Sequence, residues 1–490
     1  MGEGNTSAHS RTRSRVPGLD PGWVHPGSKR VAGSGQRDRS GLSHGDRRPH
    51  AGPLPPRRVT NRLRPLLSNE QGELRVASSG WEGLGQSGWQ DKPISSWVPL
   101  PAKATLMHLP QRGALGKRRG SGQVAAIGAG ALAVAAVLPV GYLRLLFPAY
   151  RPLGELPPPT LPLYGYAAVA DLDGEVVVAA SRSDEFSPWT GHRPSHARLT
   201  AAVERAQRLM PRSRVIAQLT VCALQHNCLT AQNTFLRCYE GALPTSAACN
   251  ADCLGCISLQ SDSGAPTPQP RMSRAPSADD LVEVGSYHLA GAQERGEPGM
   301  VSFGQGCEGE PLLRERALRP VARELQGRFP AATIHVNTNA SRPGALERLI
   351  RAGVNSVRIS VFSFRQDLFA TYYRPRGYSI GEVLECARIA RRLGAQLTIN
   401  LLTFPGVSDT PAEITRTVRT LRELAVEQVQ LRSLNADPLW LMGRLPKLEP
   451  GQGLEFLVET LRGELPSVRL GNFTRPLPGP RDTPALLATS

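Results

Sequence analysis

From about residue 245 the sequence alternates strand-like with helix-like runs, and this alternation constrains the fold more than any other feature. Strand candidates at 300–304, 332–339, 355–361, 395–402 and 428–434 are separated by helix candidates at 279–292, 312–327, 343–352, 379–393 and 410–425. Strands joined through helices must run parallel, because the crossover returns the chain to the same end of the sheet. The punctuation agrees. Ser379 with Glu382, and Thr410-Pro411 with Glu413, read as capping boxes, the second with proline at the first helical position. Gly353 and Gly394 stand where helices should end.

Central parallel strands usually read apolar on both faces, but these alternate. Val357, Ile359 and Val361 oppose Ser356, Arg358 and Ser360; Leu397, Ile399 and Leu401 oppose Thr398 and Asn400. Ile334 and Val336 oppose His335, Asn337 and Asn339, while Val429 and Leu431 oppose Gln430 and Arg432. Helices would cover the apolar parity. The polar parity must face an interior that is wet or holds a polar ligand, unlike a closed eight-stranded barrel packed with branched side chains. The expected fold is α/β, a partial, open parallel β/α barrel.

All eight cysteines lie between Cys222 and Cys386, which excludes a small disulfide scaffold and points to metal chemistry in a reducing compartment. Cys249, Cys253 and Cys256 form Cys-x3-Cys-x2-Cys, with Gly255 expected to let the loop curl. Three thiolates on one loop can each take a corner of an iron–sulfur cube and leave one iron without a protein ligand. A structural zinc site would need a fourth ligand from Cys238, Cys307 or a histidine. Cys222, Cys228 and Cys238 read either as ligands of a second cluster or as buried thiols. Cys307 reads as a turn filler or a neighbour of the substrate. Cys386 shares a helix face with Val383 and Ala390 and reads as core.

These residues resemble the radical S-adenosylmethionine (radical SAM) superfamily over about residues 245–440. The three-cysteine loop matches its hallmark, and Glu308-Gly309-Glu310-Pro311 after the 300–304 strand is similar to its Gly-Gly-Glu-Pro stretch, with Glu308 in place of the first glycine. A more particular resemblance runs from about residue 61, to a bacterial group of large radical SAM core domain proteins. It is carried by Leu138-Pro-Val-Gly-Tyr142 and by Cys249 through Gln260. The resemblance implies a [4Fe–4S] cluster on Cys249, Cys253 and Cys256, with S-adenosylmethionine beside it. Gly309, Glu310 and Pro311 would hold the methionyl amino group. Thr338, Asn339, Arg358, Ser360 and Asn400 would reach its ribose and carboxylate. A reducing electron donor such as ferredoxin or flavodoxin is implied as partner, with a 5′-deoxyadenosyl radical taking hydrogen from a substrate. No catalytic acid or base is singled out.

Four segments are expected: a disordered basic tail at 1–58, a mixed, strand-containing accessory region at 59–240, the barrel at 241–440 and an extension at 441–490. Residues 1–122 hold 20 basic and 8 acidic residues, whereas the rest is nearly balanced at 38 and 33. The tail could bind nucleic acid; the barrel carries no such field, which disfavours RNA methylation. Leu74-Arg75-Val76 and Trp97-Val98-Pro99-Leu100 read as short strands, Asp173-Gly174 as a hairpin turn and 195–211 as a helix. The uncharged run Val124–Leu143, 20 residues long, reaches the minimum for a membrane span but carries glycines and Pro139, so a buried segment is favoured and no membrane is expected. With no apolar secretory segment, the chain reads as cytoplasmic. Tyr372-Tyr373-Arg374-Pro375 suits a substrate pocket or a solvated loop, Asp409 a helix cap in preference to a substrate contact, and Leu434 to Pro438 could close the pocket. The function expected is a radical SAM enzyme that abstracts hydrogen from an unidentified substrate, with a peptide or protein, or a glycyl-radical partner, as the candidates. The alternative is a non-catalytic iron–sulfur or zinc module with a nucleic-acid-binding tail.

Overall fold

The computed structural model describes residues 63–184 and 194–477, together with the backbone of 57–58. Apart from Arg57–Arg58, the basic tail lies outside these residues. Those two residues form a short strand against Ser96 and Trp97, so strand pairing begins just before the expected boundary at 59.

The accessory region is a 13-stranded antiparallel sheet between Arg57 and Leu/Val-rich hairpins ending near residue 178, with a two-stranded ribbon at its margin. Asp173-Gly174 makes the expected turn: Tyr166–Leu172 pairs with Glu175–Val178, and both turn residues take positive φ (52° and 95°), as a two-residue hairpin of right-handed twist requires. The uncharged run is not a span. It divides into strands Val124–Ala126, Leu132–Val137 and Tyr142–Arg144. Its apolar character has a specific cause. Ala133 and Ala135 pack into one core with Leu109 and Tyr166, whereas Val134 and Ala136 pack into another with Val169 and Val178. A strand covered on both faces has no parity left for polar residues. Among the described residues no helix is long and apolar enough to cross a membrane.

Three helices, His196–Leu209, Arg214–Leu224 and Leu229–Leu236, lead into the parallel sheet. Its seven strands follow chain order: β1 (Glu240–Leu243), β2 (Met300–Phe303), β3 (Thr333–Thr338), β4 (Ser356–Val361), β5 (Gln396–Thr403), β6 (Gln428–Ser433) and β7 (Arg469–Gly471). No pairing joins β1 to β7, so the sheet is an open half-barrel. The expected strands are β2 to β6. The short strands β1 and β7 escaped the sequence pattern, and β7 carries the sheet past residue 440. Beyond it the chain crosses the lower end of the barrel: Gln428 donates to the Phe473 carbonyl, Gln430 to Thr474, and the Leu477 amide to Thr333 on β3.

Packing follows the two parities. Ile334, Val336, Val357, Ile359, Val361, Leu397, Ile399, Leu401, Val429 and Leu431 are buried in one cluster with helix residues such as Leu318, Leu346 and Leu421. The opposite parity lines the interior. Its lower rung is buried and hydrogen-bonded: His335 bridges Ser356 (2.8 Å) and Asn337 (2.9 Å), and Ser356 donates to Gln396. Burial holds the His335 imidazole down to about 3, and it is neutral.

The Ser379–Glu382 capping box forms, and Gly353 and Gly394 end their helices with positive φ. The second box does not. Thr410 turns its hydroxyl to the Val407 carbonyl, Glu413 lies against Arg365 (3.7 Å), and Glu449 caps the Ala412 amide instead. Asp409 is not a cap either. Fully buried, it accepts from the amides of Gly406 (2.6 Å) and Gly453 (3.0 Å) and from the Ser87 hydroxyl of the accessory sheet (3.1 Å). A second tie is the Arg112–Asp437 ion pair at 2.6 Å, with both side chains at most 1% exposed. Asp437 also caps the short helix Pro438–Met442, so Leu434 to Pro438 is held by the accessory sheet.

Candidate radical SAM site

Residues 249–256 follow β1 at the C-terminal end of the half-barrel, where loops converge on a shared mouth. Two segments clamp the loop. On one side the stretch after β2 runs alongside it: the Gly309 amide donates to the Ser246 carbonyl (2.7 Å) and the Glu310 amide to the Ala248 carbonyl (2.8 Å). Gly309 is required for this approach, because a Cβ there would lie 2.0 Å from the Ala248 oxygen and 3.0 Å from the Cys249 nitrogen. On the other side, the amides of Asp252 and Leu254 donate to the carbonyls of Tyr373 and Tyr372 at 3.0 and 2.9 Å. Arg376 reaches the Cys249 carbonyl, and Arg374 pairs with Asp252 at 3.0 Å and with Asp262.

The Tyr372–Arg376 stretch is thus tied to the cysteine loop and is not left as a solvated loop. It ends helix Gln366–Tyr373, which went unrecognised as a helix in the sequence, and it braces the cysteines. Tyr372 stacks on Phe362 with ring centroids 4.4 Å apart, and the Tyr373 hydroxyl donates to the Ser360 carbonyl. Gly255 does not take a positive φ. It is glycine for space, since a Cβ would meet the Tyr372 hydroxyl at 2.8 Å and Leu434 at 2.9 Å.

Glu308, the departure from the family pattern, has a clear local role. Its carboxylate accepts from the amides of Thr245, Ser246 and Gln305 and from the Thr245 hydroxyl, at 2.6 to 2.7 Å, and so ties the segment after β2 to the one after β1. Burial pushes it up to about 7 despite these donors. Glu310 is raised likewise to about 7 by burial, against donors from Asn339 N (2.8 Å), Thr338 Oγ1 (2.5 Å) and Leu312 N (2.9 Å). Pro311 opens the short 3₁₀ turn that Glu310 caps. Asn339 and Ser341 both donate to the Asn250 side chain, so the end of β3 also holds the cysteine loop.

The expected residues thus fall into two groups. Cys249, Cys253, Cys256, Gly309, Glu310, Pro311, Thr338 and Asn339 meet around the loop. Arg358, Ser360 and Asn400 share the inner face of β4 and β5, where Asn400 donates to Ser360 (3.1 Å) and Arg358 to Gln430 and Thr474 (2.9 and 3.1 Å). Of the other three, Cys222 and Cys228 are electrostatic neighbours of each other and of Cys307, whose thiol is pushed up by a hydrogen bond from Cys222 and by burial, whereas Cys238 lies apart against Asn233. Cys386 is core, as expected, and its thiol donates to the Ala340 carbonyl.

The fold and loop define a class of protein: a parallel half-barrel with three thiols offered at its mouth. Residues 243–420 match the family model of the Radical SAM superfamily, and this part of the chain is a radical SAM domain. Among solved structures, the chain is similar to a radical SAM methyltransferase from Sphaerobacter thermophilus (19% identity over 47% of this chain and 64% of that one, TM-score 0.34). It is also similar to Streptococcus suis SuiB bound to the precursor peptide SuiA (15% identity, 53% of each chain, TM-score 0.33). A third likeness is to the FeFe-hydrogenase maturase HydG from Carboxydothermus hydrogenoformans (13% identity, 56% and 68%, TM-score 0.34). The chain spans less than two thirds of the first two. No curated protein matches it.

The superfamily's cofactors are a [4Fe–4S] cluster and S-adenosylmethionine, and the residues present fit both. Burial, Glu310 and Cys256 push the Cys249 thiol up to about 11, and burial, Cys256 and Cys249 push the Cys253 thiol up as well. The three sulfurs are thus electrostatic neighbours on one loop, and each could take one corner of a cube. Beside the loop the buried Tyr378 hydroxyl, whose electrostatic neighbours are Cys253, Glu310 and Cys249, has no hydrogen-bond partner. On the inner face Arg358 Nε, Thr398 Oγ1 and Asn400 Oδ1, on adjacent rungs of β4 and β5, also lack one. Buried polar atoms left unpaired in the protein are open to partners from water or from a polar ligand.

Proposed function

We propose that this chain is a radical SAM enzyme that holds a [4Fe–4S] cluster on Cys249, Cys253 and Cys256. S-adenosylmethionine would lie between the cluster loop and the inner face of β4 and β5. The carrying observation is the clamped three-thiol loop, with the unsatisfied Tyr378 hydroxyl beside it and unsatisfied polar atoms of Arg358, Thr398 and Asn400 on the inner face of the half-barrel. When bound, the two cofactors supply reductive cleavage of a sulfonium and abstraction of a hydrogen atom from substrate. The chain's own residues bind, orient and exclude water. Gly309 and Glu310 set the height of the loop, and Glu310 keeps a lone pair for an ammonium beyond its three donors. Arg358 offers an unpaired N–H to an anionic group. The accessory sheet grips the loops after β5 and β6 through Ser87 and Arg112, and so shapes the mouth where substrate enters. An external one-electron donor of the ferredoxin or flavodoxin class would complete the reaction.

The test is anaerobic reconstitution of the full chain. It should take up four irons per chain in one cubane and, with dithionite, turn S-adenosylmethionine into 5′-deoxyadenosine; Cys253→Ala should lose both properties. Wild-type protein that binds zinc in tetrahedral thiolate geometry and leaves S-adenosylmethionine intact would refute the reading.

A further inference from the structure

The 21 residues between Cys256 and helix Ala278–Glu294 carry no regular structure, yet the chain does not wander there. It turns back on the cysteine loop. The Gln269 amide donates to the Ile257 carbonyl (3.2 Å), the Arg271 amide to Ser258 (3.1 Å) and the Met272 amide to Cys307 (2.9 Å). The backbone of Arg271 is thereby fixed against Ser258, two residues beyond the third cysteine, and its side chain lies against the loop. Its Nη2 lies 3.6 Å from the Cys256 sulfur and its Nε donates to the Ser258 hydroxyl at 3.1 Å. That hydroxyl lies 3.4 Å from the same sulfur and also donates to the Glu308 carbonyl.

Three arginines stand against the loop, and they differ in what occupies their charge. Arg374 is paired with Asp252 and Asp262, and Arg376 bonds the Cys249 carbonyl. Arg271 alone of the three reaches a sulfur, and among the described residues no carboxylate forms an ion pair with it. Its charge also acts on Cys249.

We propose that Arg271, with Ser258 as its bridge, is a positioning residue that sets the reduction potential of the cluster at the Cys256 corner. The inference rests on the cluster reading above. A guanidinium N–H directed at a thiolate withdraws electron density from the sulfur, and its charge favours the reduced cluster, which carries one more negative charge. Removing it should make the cluster harder to reduce. Lysine keeps the charge but not the planar fork that bonds sulfur and hydroxyl together, so it should restore only part of the effect.

The experiment is a redox titration of reconstituted full-length protein followed by electron paramagnetic resonance, with iron counted on every sample. The midpoint should fall in the order wild type, Arg271→Lys, Arg271→Gln, at equal iron content, and Ser258→Ala should shift it in the same direction as Arg271→Gln. If Arg271→Gln loses its iron, the comparison of wild type with Arg271→Lys decides. Midpoints indistinguishable from wild type in iron-loaded variants would overturn the proposal, as would loss of iron from both Arg271 variants, which would make Arg271 a purely structural prop. Failure of the wild type itself to hold a cubane would instead bring down the functional reading.

Discussion

Gly309→Ala is the most informative single perturbation of the site. The added Cβ would stand 2.0 Å from the Ala248 oxygen, 2.4 Å from its carbonyl carbon and 3.0 Å from the Cys249 nitrogen. All three are backbone atoms, so no rotamer change relieves the clash. A carbon and an oxygen need at least about 3.3 Å, which forces the two segments apart by about 1.3 Å. That displacement breaks the Gly309–Ser246 and Glu310–Ala248 hydrogen bonds (2.7 and 2.8 Å). Two bonds at about 0.5–1.5 kcal/mol each, with about 1–3 kcal/mol of overpacking, give a loss of about 2–6 kcal/mol. Cys249 moves with the strained segment. The expected result is a lower melting temperature and reduced iron uptake on anaerobic reconstitution. Gly327→Ala is the control: it sits in helix Glu315–Arg328 with nothing within 4 Å of a Cβ, and helix propensity makes alanine neutral or better there. Wild-type melting and iron content in Gly309→Ala would show that the loop does not depend on this close approach.

Three further outcomes are expected. Arg112→Leu leaves Asp437 buried without its cation and should cost about 3–5 kcal/mol in urea unfolding, more than the Arg112→Leu/Asp437→Asn double variant costs. Above pH 6.5 the apo protein has the full benefit of neutral His335 and His288, held to about 3 and about 4, and loses it as the pH falls. Glu308 and Glu310, raised to about 7, act with the opposite sign: their contribution is full below 4.5 and lost as the pH climbs to 7. The four largely offset one another between pH 4.5 and 6.5. Buried Glu240, Asp409 and Glu413 are raised as well and share the sign of Glu308 and Glu310, so melting temperature should fall gently as the pH rises through that window, and a steep rise across it would contradict these assignments. Finally, Tyr378→Phe should leave iron content unchanged and weaken S-adenosylmethionine binding to the loaded protein, measured by the change in the cluster's resonance spectrum; unchanged affinity would remove Tyr378 from the site.

Much of the site was legible because its chemistry is local in sequence. Cys249, Cys253 and Cys256 share one loop, and the parity of Ser356, Arg358 and Ser360 against Val357, Ile359 and Val361 marks an inner face from strand period alone. The alternation of elements was legible for the same reason, since β2 to β6 and their helices each carry their own periodicity and stops. β1 and β7, four and three residues long, are too short to show a period. Asp409 and Thr410-Glu413 carry the residue types of a helix start, but Ser87, Gly453 and Glu449 supply competing partners from elsewhere in the chain.

By itself, then, the sequence determined the parallel α/β architecture, the polar interior and the three-cysteine loop proposed to hold the cluster, because strand period, helix caps and clustered thiols act over a few residues. Only the tertiary structure decided what holds those ligands. The Tyr372–Arg376 brace, the Glu308 tie, Arg271 at the Cys256 sulfur and the Arg112–Asp437 lock each join residues that the chain separates widely and the fold brings within hydrogen-bond reach. Contacts of that range depend on how whole elements pack, and no local pattern records them.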